Sequence, residues 1–110
     1  MEINRITNSS EMIKIEIKDE SSAIIGRASL FLIFNDLHIE PYGLMEDVFV
    51  EEKYRGCGYG KQLVGEIITI AQEKKCYKLV AQSRYSKPKV HELYKKFGFK
   101  EHGLNFRIDF

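Results

Sequence analysis

The chain has no long apolar run. Its longest, around Leu30 to Phe34, falls far short of the ~20 residues that cross a bilayer, so no transmembrane helix is expected. The first residues, Met1 to Asn8, hold no apolar segment of the kind a secretory signal needs. Cysteine is scarce: Cys57 and Cys76 are spaced neither as a metal site nor as a redox pair, and read as free thiols in a reducing cytoplasm. Neither sign of charge dominates. The net charge is +1, which gives no whole-chain argument for nucleic acid or an anionic membrane as partner. Repeats, linkers and low-complexity stretches are absent. What is there is 110 residues, 44% hydrophobic and 30% charged. That suits one domain with one modest core, burying roughly 65% of its unfolded surface.

The most informative stretch is Leu44 to Lys61, L-M-E-D-V-F-V-E-E-K-Y-R-G-C-G-Y-G-K. An apolar run with two acids inside it ends at Val50. Gly56, Gly58 and Gly60 follow at alternate positions, and a segment of helical periodicity begins after them. Strand, glycine loop and helix in that order form an anion site, because glycines admit a close ligand and the helix start offers unpaired N–H groups. A P-loop is excluded: Arg55 stands where its first glycine belongs and Gln62 where its Ser or Thr belongs. A dinucleotide fingerprint is excluded as well, since Lys61 occupies the position of its third glycine.

The rest of the chain is legible as elements. Met12 to Lys18 alternates, with Ile13, Ile15 and Ile17 on one face, and predicts a half-exposed strand. Asp19 to Ser22 is a turn, and Ile24 to Phe34 a longer, more central strand paired with the first as a hairpin. Pro41 and Gly43 break the bridge before a third strand, Leu44 to Val50. Strict alternation there puts Leu44, Glu46, Val48 and Val50 on one face, unless a bulge intervenes. A helix from Gly60 to Lys74 or Lys75 carries the stripe Leu63, Val64, Ile67, Ile68, Ile70 and Ala71. Tyr77 to Gln82 predicts a fourth strand, parallel to the third. Ser86 is the expected cap of a second helix with Pro88 in its first turn, Val90, Leu93 and Phe97 as its buried stripe, and Gly98 as its stop. Phe99 to Phe110 is expected to close the sheet as a hairpin turning at His102-Gly103. The fold class is a mixed α/β (α+β) sheet with helices packed on it, a single domain over residues 1–110.

R-G-C-G-Y-G, Arg55 to Gly60, resembles the Q/R-x-x-G-x-G/A loop of the GNAT superfamily of N-acetyltransferases. L-Y-K-K-F-G-F, Leu93 to Phe99, resembles that family's F-Y-x-x-x-G-F helix end. The resemblance covers about Leu44 to Phe99, with a weaker fit before it. The run M-E-D-V-F-V…Y-R-G-x-G-Y-G-K…C-Y-K-L-V is further similar to glucosamine-6-phosphate N-acetyltransferases. Two departures stand out. No sequence corresponds to the family's two helices between its first and second strands, so the chain reads as a minimal version. Lys87 also stands where the family often has an Asn that contacts coenzyme A.

The resemblance implies direct acetyl transfer from acetyl-coenzyme A to a primary amine, with an amino sugar phosphate among the candidate acceptors. It implies that Arg55, Gly56, Cys57, Gly58, Tyr59, Gly60 and Lys61 hold the pyrophosphate, and that the backbone at Val48 and Val50 engages the pantetheine amides. Lys87 could meet a phosphate. It makes Tyr94 the candidate acid for the departing thiolate, although by pattern alone Tyr94 is a half-buried packing residue. Glu46 is the candidate base, a carboxylate in an apolar strand whose burial would raise its pKa; orienting substrate or a structural ion pair fit it equally. Asp47 faces the other way and is expected to pair with a basic residue. His91 and His102 are weaker base candidates. Cys57 lacks a His or acid spaced to activate it as a nucleophile. No metal is expected. The basic run Arg84, Lys87, Lys89, Lys95, Lys96 and Lys100 reads as solvated surface or as an attractor of anions. The apolar side chains of Phe106, Ile108 and Phe110 suggest a homodimer. Against the enzyme stands a non-catalytic acyl-coenzyme A-binding or interaction module. Nucleic-acid binding lacks the stacking aromatics and basic balance it needs.

Overall fold

A computed structural model describes residues 1–110. Strands β1 (Glu11–Lys18), β2 (Ile24–Ile33) and β3 (Tyr42–Val50) precede a single 3-10 turn, Glu52–Tyr54, and helix α1 (Tyr59–Glu73). Strand β4 (Leu79–Ala81) and helix α2 (Pro88–Lys96) follow. The strands form one sheet in the order β1-β2-β3-β4, antiparallel as far as β3 and parallel between β3 and β4. The parallel step is the one the strand–helix–strand reading requires, since α1 carries the chain back across the sheet. No helix precedes β1, and none is long and apolar enough to cross a membrane.

The core lies between the sheet and α1. Ala28, Leu30 and Leu32 of β2 and Met45 of β3 meet Leu63, Val64, Ile67 and Ala71 of α1, all of them buried. The i, i+1, i+4 spacing of Leu63, Val64 and Ile67 puts them on one helix face, where each contributes about 1.5–3 kcal/mol by leaving water. Ile68 and Ile70 flank this stripe, half-buried.

Strict alternation in β3 does not hold. Glu46 pairs with Ser29 and Phe49 with Arg27, so Asp47 and Val48 together face the single residue Ala28. This is a β-bulge, with Asp47 in the left-handed region at φ 54°. The extra residue reverses the alternation. Met45, Val48 and Val50 pack toward the core, whereas Glu46 and Phe49 share the face turned away from α1. Glu46 is therefore separated from Val48 and Val50, and it is exposed rather than buried. The burial expected of it is corrected, because nothing in the chain covers that face of the sheet at Glu46.

Strand β4 is shorter than Tyr77 to Gln82. It pairs only along Gly43, Leu44 and Met45, so β3 from Glu46 to Val50 has no strand on that side. The pairing that does form is close: a Cβ on Gly43 would come within 2.9 Å of Leu30 Cδ1 and 3.0 Å of Leu79 Cδ1.

Both helices end in the same motif. After α2, Gly98 lies at φ 100°, its N–H donates to the Lys95 carbonyl, and the Phe99 N–H reaches back to the Tyr94 carbonyl at 3.1 Å. That is the Schellman arrangement, and the hydrophobic contact that accompanies it is the Phe99 ring on Tyr94, with centroids 5.3 Å apart. After α1, Lys75 takes the left-handed position at φ 60°, and the Cys76 N–H donates to the Ala71 carbonyl at 2.9 Å.

Three expectations at the end of the chain are corrected. Lys87, not Ser86, is the N-cap of α2, and no side chain caps it. Val90, Leu93 and Phe97 are half-buried rather than buried, because α2 lies beside α1 instead of under it; the Phe97 ring passes 3.7 Å from where a Cβ on Gly65 would sit. Phe99 to Phe110 forms no hairpin. Leu104, Phe106, Ile108 and Phe110 are all largely exposed. A strand there needs a paired edge, and the three residues of β4 offer a short one, while a two-stranded hairpin alone is marginal in water.

Candidate functional site

The loop between β3 and α1 is shaped by positive φ. Gly56 lies at φ 79° and Gly58 at φ 89°, and Gly58 is the N-cap of α1 without any side-chain cap. The first backbone bond into the helix runs from the Gln62 N–H to the Gly58 carbonyl, at 3.1 Å. None of the backbone N–H groups from Gly56 to Lys61 has a backbone acceptor in the chain. Six consecutive donors thus remain at the positive end of a 15-residue helix, with no carboxylate in its first turn. Gly60 has no positive φ, and a Cβ added there would meet no protein atom within 4 Å. Nothing inside the fold requires glycine at that position, and its missing side chain leaves the approach to the N–H row open.

Beside this loop runs a groove of about 510 Å³. One wall is Val50 at the unpaired end of β3, with Tyr54 and Tyr59 packed edge to face at 6.1 Å between centroids. The floor is Arg55, Gly56, Gly58 and Gly60. The opposite wall is one face of α2, namely Lys89, Val90 and Leu93. The groove is apolar along its length and cationic at the glycine end, which suits a long, thin ligand with an anionic terminus.

Arg55 has a defined place. Its Nε donates to the Val50 carbonyl at 2.8 Å, and its guanidinium lies 5.5 Å from the centre of the Phe49 ring. The side chain ties the loop to the end of β3 and takes up the carbonyl of Val50, one of the two residues whose backbone the resemblance assigns to ligand amides. No hydrogen bond or ion pair within the chain engages its Nη donors. Phe49 also receives the Arg27 guanidinium, 4.6 Å from its centroid. Arg27 in turn makes a two-pronged ion pair with Asp47, Nε–Oδ2 2.7 Å and Nη2–Oδ1 3.3 Å. Asp47 therefore has the basic partner expected of it, and the hydrogen bond from Arg27 holds its carboxyl below the usual carboxylate range. Arg27, Asp47 and Phe49 together pin the bulge to the glycine loop.

Tyr94 sits next to Leu93 on α2, half-buried against the core and held by Phe99. Burial raises its phenol above the ordinary tyrosine value. The remaining candidates are dispersed. Lys61 is exposed in the first turn of α1 and Lys87 is exposed at the start of α2, and neither lines the groove. Val48 is half-buried, and Cys57 is exposed with its Sγ 3.8 Å from the Arg55 carbonyl. The His91 ring Nε2 meets the Arg84 carbonyl at 2.8 Å, which makes it a brace for the loop before α2. Glu46 lies on the far face of the sheet from α1. Sequence reasoning did not assign Tyr54, Lys89, Val90 and Leu93 to a ligand wall. Val90 and Leu93 are expected from their spacing as a packing stripe and Lys89 as part of a solvated or anion-attracting basic run; their i, i+1, i+4 spacing puts the three on one helix face.

A mixed sheet that splits beside its third strand, with a loop of unpaired N–H donors at the mouth of the split and a second helix across it, is the acyltransferase fold. The chain belongs to the acetyltransferase (GNAT) family, whose model matches residues 3–99. It is 33% identical over 104 residues to a glucosamine 6-phosphate N-acetyltransferase of Trypanosoma brucei brucei, a match that covers 87% of this chain and 64% of that protein. Among solved structures it resembles an acetyltransferase of Trypanosoma brucei at 30% identity and a TM-score of 0.82, covering 90% of this chain and 69% of the other. It also resembles a glucosamine-6-phosphate N-acetyltransferase of Arabidopsis thaliana at 25% identity and a TM-score of 0.80, covering 90% of this chain and 67% of the other.

Proposed function

We propose that the chain is the core of an N-acetyltransferase that moves an acetyl group from acetyl-coenzyme A directly to a primary amine. The groove carries this reading: unpaired strand edge, free N–H row and apolar helix wall converge on a space suited to a pantetheine arm ending in a pyrophosphate. The glycine loop holds the pyrophosphate, and Val50, Val90 and Leu93 enclose the arm. Acetyl-coenzyme A brings the activated thioester. Tyr94, next to the groove-lining Leu93 on α2 though not itself in the groove lining, is the proposed donor of a phenolic proton to the departing thiolate. Glu46 is the proposed acceptor of the amine's proton. Its exposure here makes it a base only when acceptor or a second copy of the chain covers that face of the sheet.

The acceptor we propose is a small amine carrying an anionic group, an amino sugar phosphate. The relatives from Trypanosoma and Arabidopsis bear that substrate in their names. The exposed cations Arg84, Lys95, Lys96 and Lys100 surround α2 and would draw such an anion in. We further propose that the exposed apolar side chains from Leu104 to Phe110 mediate a homodimer in the cytoplasm, in keeping with two free thiols.

The test is acetyl-coenzyme A titration and thiol release with glucosamine 6-phosphate, on the parent and on Tyr94→Phe. The parent should bind and turn over. The variant should bind equally and lose on the order of 10²-fold in kcat, the scale of one general acid. Binding without turnover by the parent, across a panel of amines, would make the chain a non-catalytic acyl-coenzyme A module.

A further inference from the structure

The glycine loop accounts for one side of the groove's anionic end; the other side is α2. This helix has no buried residue. It rests on the body through Phe97, Tyr94 and the groove-lining face. Only one cation on that face reaches the groove: Lys89. Lys87, the residue that replaces the family's Asn, caps the helix from outside the groove. The Lys89 ammonium makes no hydrogen bond or ion pair with any residue of the chain. It is therefore available, across the groove from six N–H groups that donate to no backbone acceptor in the chain.

We infer that Lys89 is a phosphate-binding residue, the second cation of the site, so that the phosphates of the ligand bridge α1 to α2. This rests on the acyl-coenzyme A reading above. It adds that the bound phosphates fasten the N-terminal end of a helix none of whose residues is buried. Because Leu93 and Tyr94 ride on that helix, the phosphate end of the ligand also sets where the phenol stands.

The experiment titrates acetyl-coenzyme A, 3′-dephospho-coenzyme A and acetyl-pantetheine into the parent, Lys89→Gln, Lys89→Arg and the distant charge control Lys18→Gln. Lys89→Gln should weaken acetyl-coenzyme A on the order of tenfold, as expected for a lost charge-assisted contact. Acetyl-pantetheine, which has no phosphate, should bind all variants alike. Lys89→Arg should recover most of the loss, and Lys18→Gln should lose nothing. A loss that persists with the dephospho ligand assigns the contact to the pyrophosphate, and a loss that vanishes assigns it to the 3′-phosphate. In hydrogen exchange, acetyl-coenzyme A should protect the α2 amides of the parent more than those of Lys89→Gln. Parent-like binding and protection in Lys89→Gln overturns the inference and leaves the cofactor reading standing. Failure of the folded parent to bind acetyl-coenzyme A overturns both.

Discussion

Gly60→Ala separates the two reasons a protein can have for a glycine. The residue lies in the first turn of α1 without a positive φ, and an added Cβ has no protein atom within 4 Å. The fold therefore gains from alanine, which restricts the unfolded chain and favours the helix by about 0.5 kcal/mol in a first turn. For a domain of this size that gain is a rise in Tm of about 2–4 °C. The ligand loses. A methyl group there projects into the space over unpaired N–H donors, and holding a phosphate back by even ~1 Å should weaken acetyl-coenzyme A at least about tenfold, or ~1.4 kcal/mol. Gly56→Ala and Gly58→Ala differ in kind, since left-handed φ costs about 1–2 kcal/mol for a residue with a Cβ, and stability should fall with binding. Thermal denaturation followed by circular dichroism, paired with calorimetric titration, reads both axes. A Gly60→Ala protein that binds as the parent does refutes ligand approach as the reason for the glycine. One that is destabilised by more than 1 kcal/mol refutes the claim that the fold does not need it.

Gly43→Ala should destabilise by about 1–3 kcal/mol, because its Cβ has to displace Leu30 and Leu79 where β3 meets β4; urea unfolding measures it. Lys75→Gly should stabilise by about 0.5–1 kcal/mol in the same assay, since it removes a Cβ from a left-handed helix stop at φ 60°. The Arg27–Asp47 pair gives a pH signature. The folded carboxyl titrates below its unfolded value of about 3.9, so its stabilisation is present above that pH and lost as the pH falls through the lower folded value. Parent and Asp47→Asn should thus differ near pH 7 and converge as the pH falls through and below the usual carboxylate range. The difference should be small and should shrink in high salt, because the side chains are 38% and 52% exposed.

Much of this protein is local, and local physics is written along the chain. The alternation of Ile13, Ile15 and Ile17 fixed β1, and the stripe from Leu63 to Ala71 fixed α1 and its buried face. Three alternate glycines before a helix fixed a loop of unpaired N–H donors at the helix start. Gly98 with flanking aromatics fixed the end of α2, where Phe99 steadies Tyr94. Each depends on backbone geometry or periodicity within a few residues, which sequence states directly.

Where the outcome depended on partners far apart in the chain, only the tertiary structure decided. The bulge at Asp47 arises from pairing with β2 and the reach of Arg27, and it moved Glu46 to the other face from Val48 and Val50. The choice of Lys89 over Lys87 for the groove depends on which way α2 turns against α1, a packing angle that no spacing encodes. The segment from Leu104 to Phe110 has the alternation of a strand but is not one, because a strand is made by its neighbour's hydrogen bonds and β4 presents an edge of three residues. Sequence determined what each segment could be, and packing decided which groups face the same space.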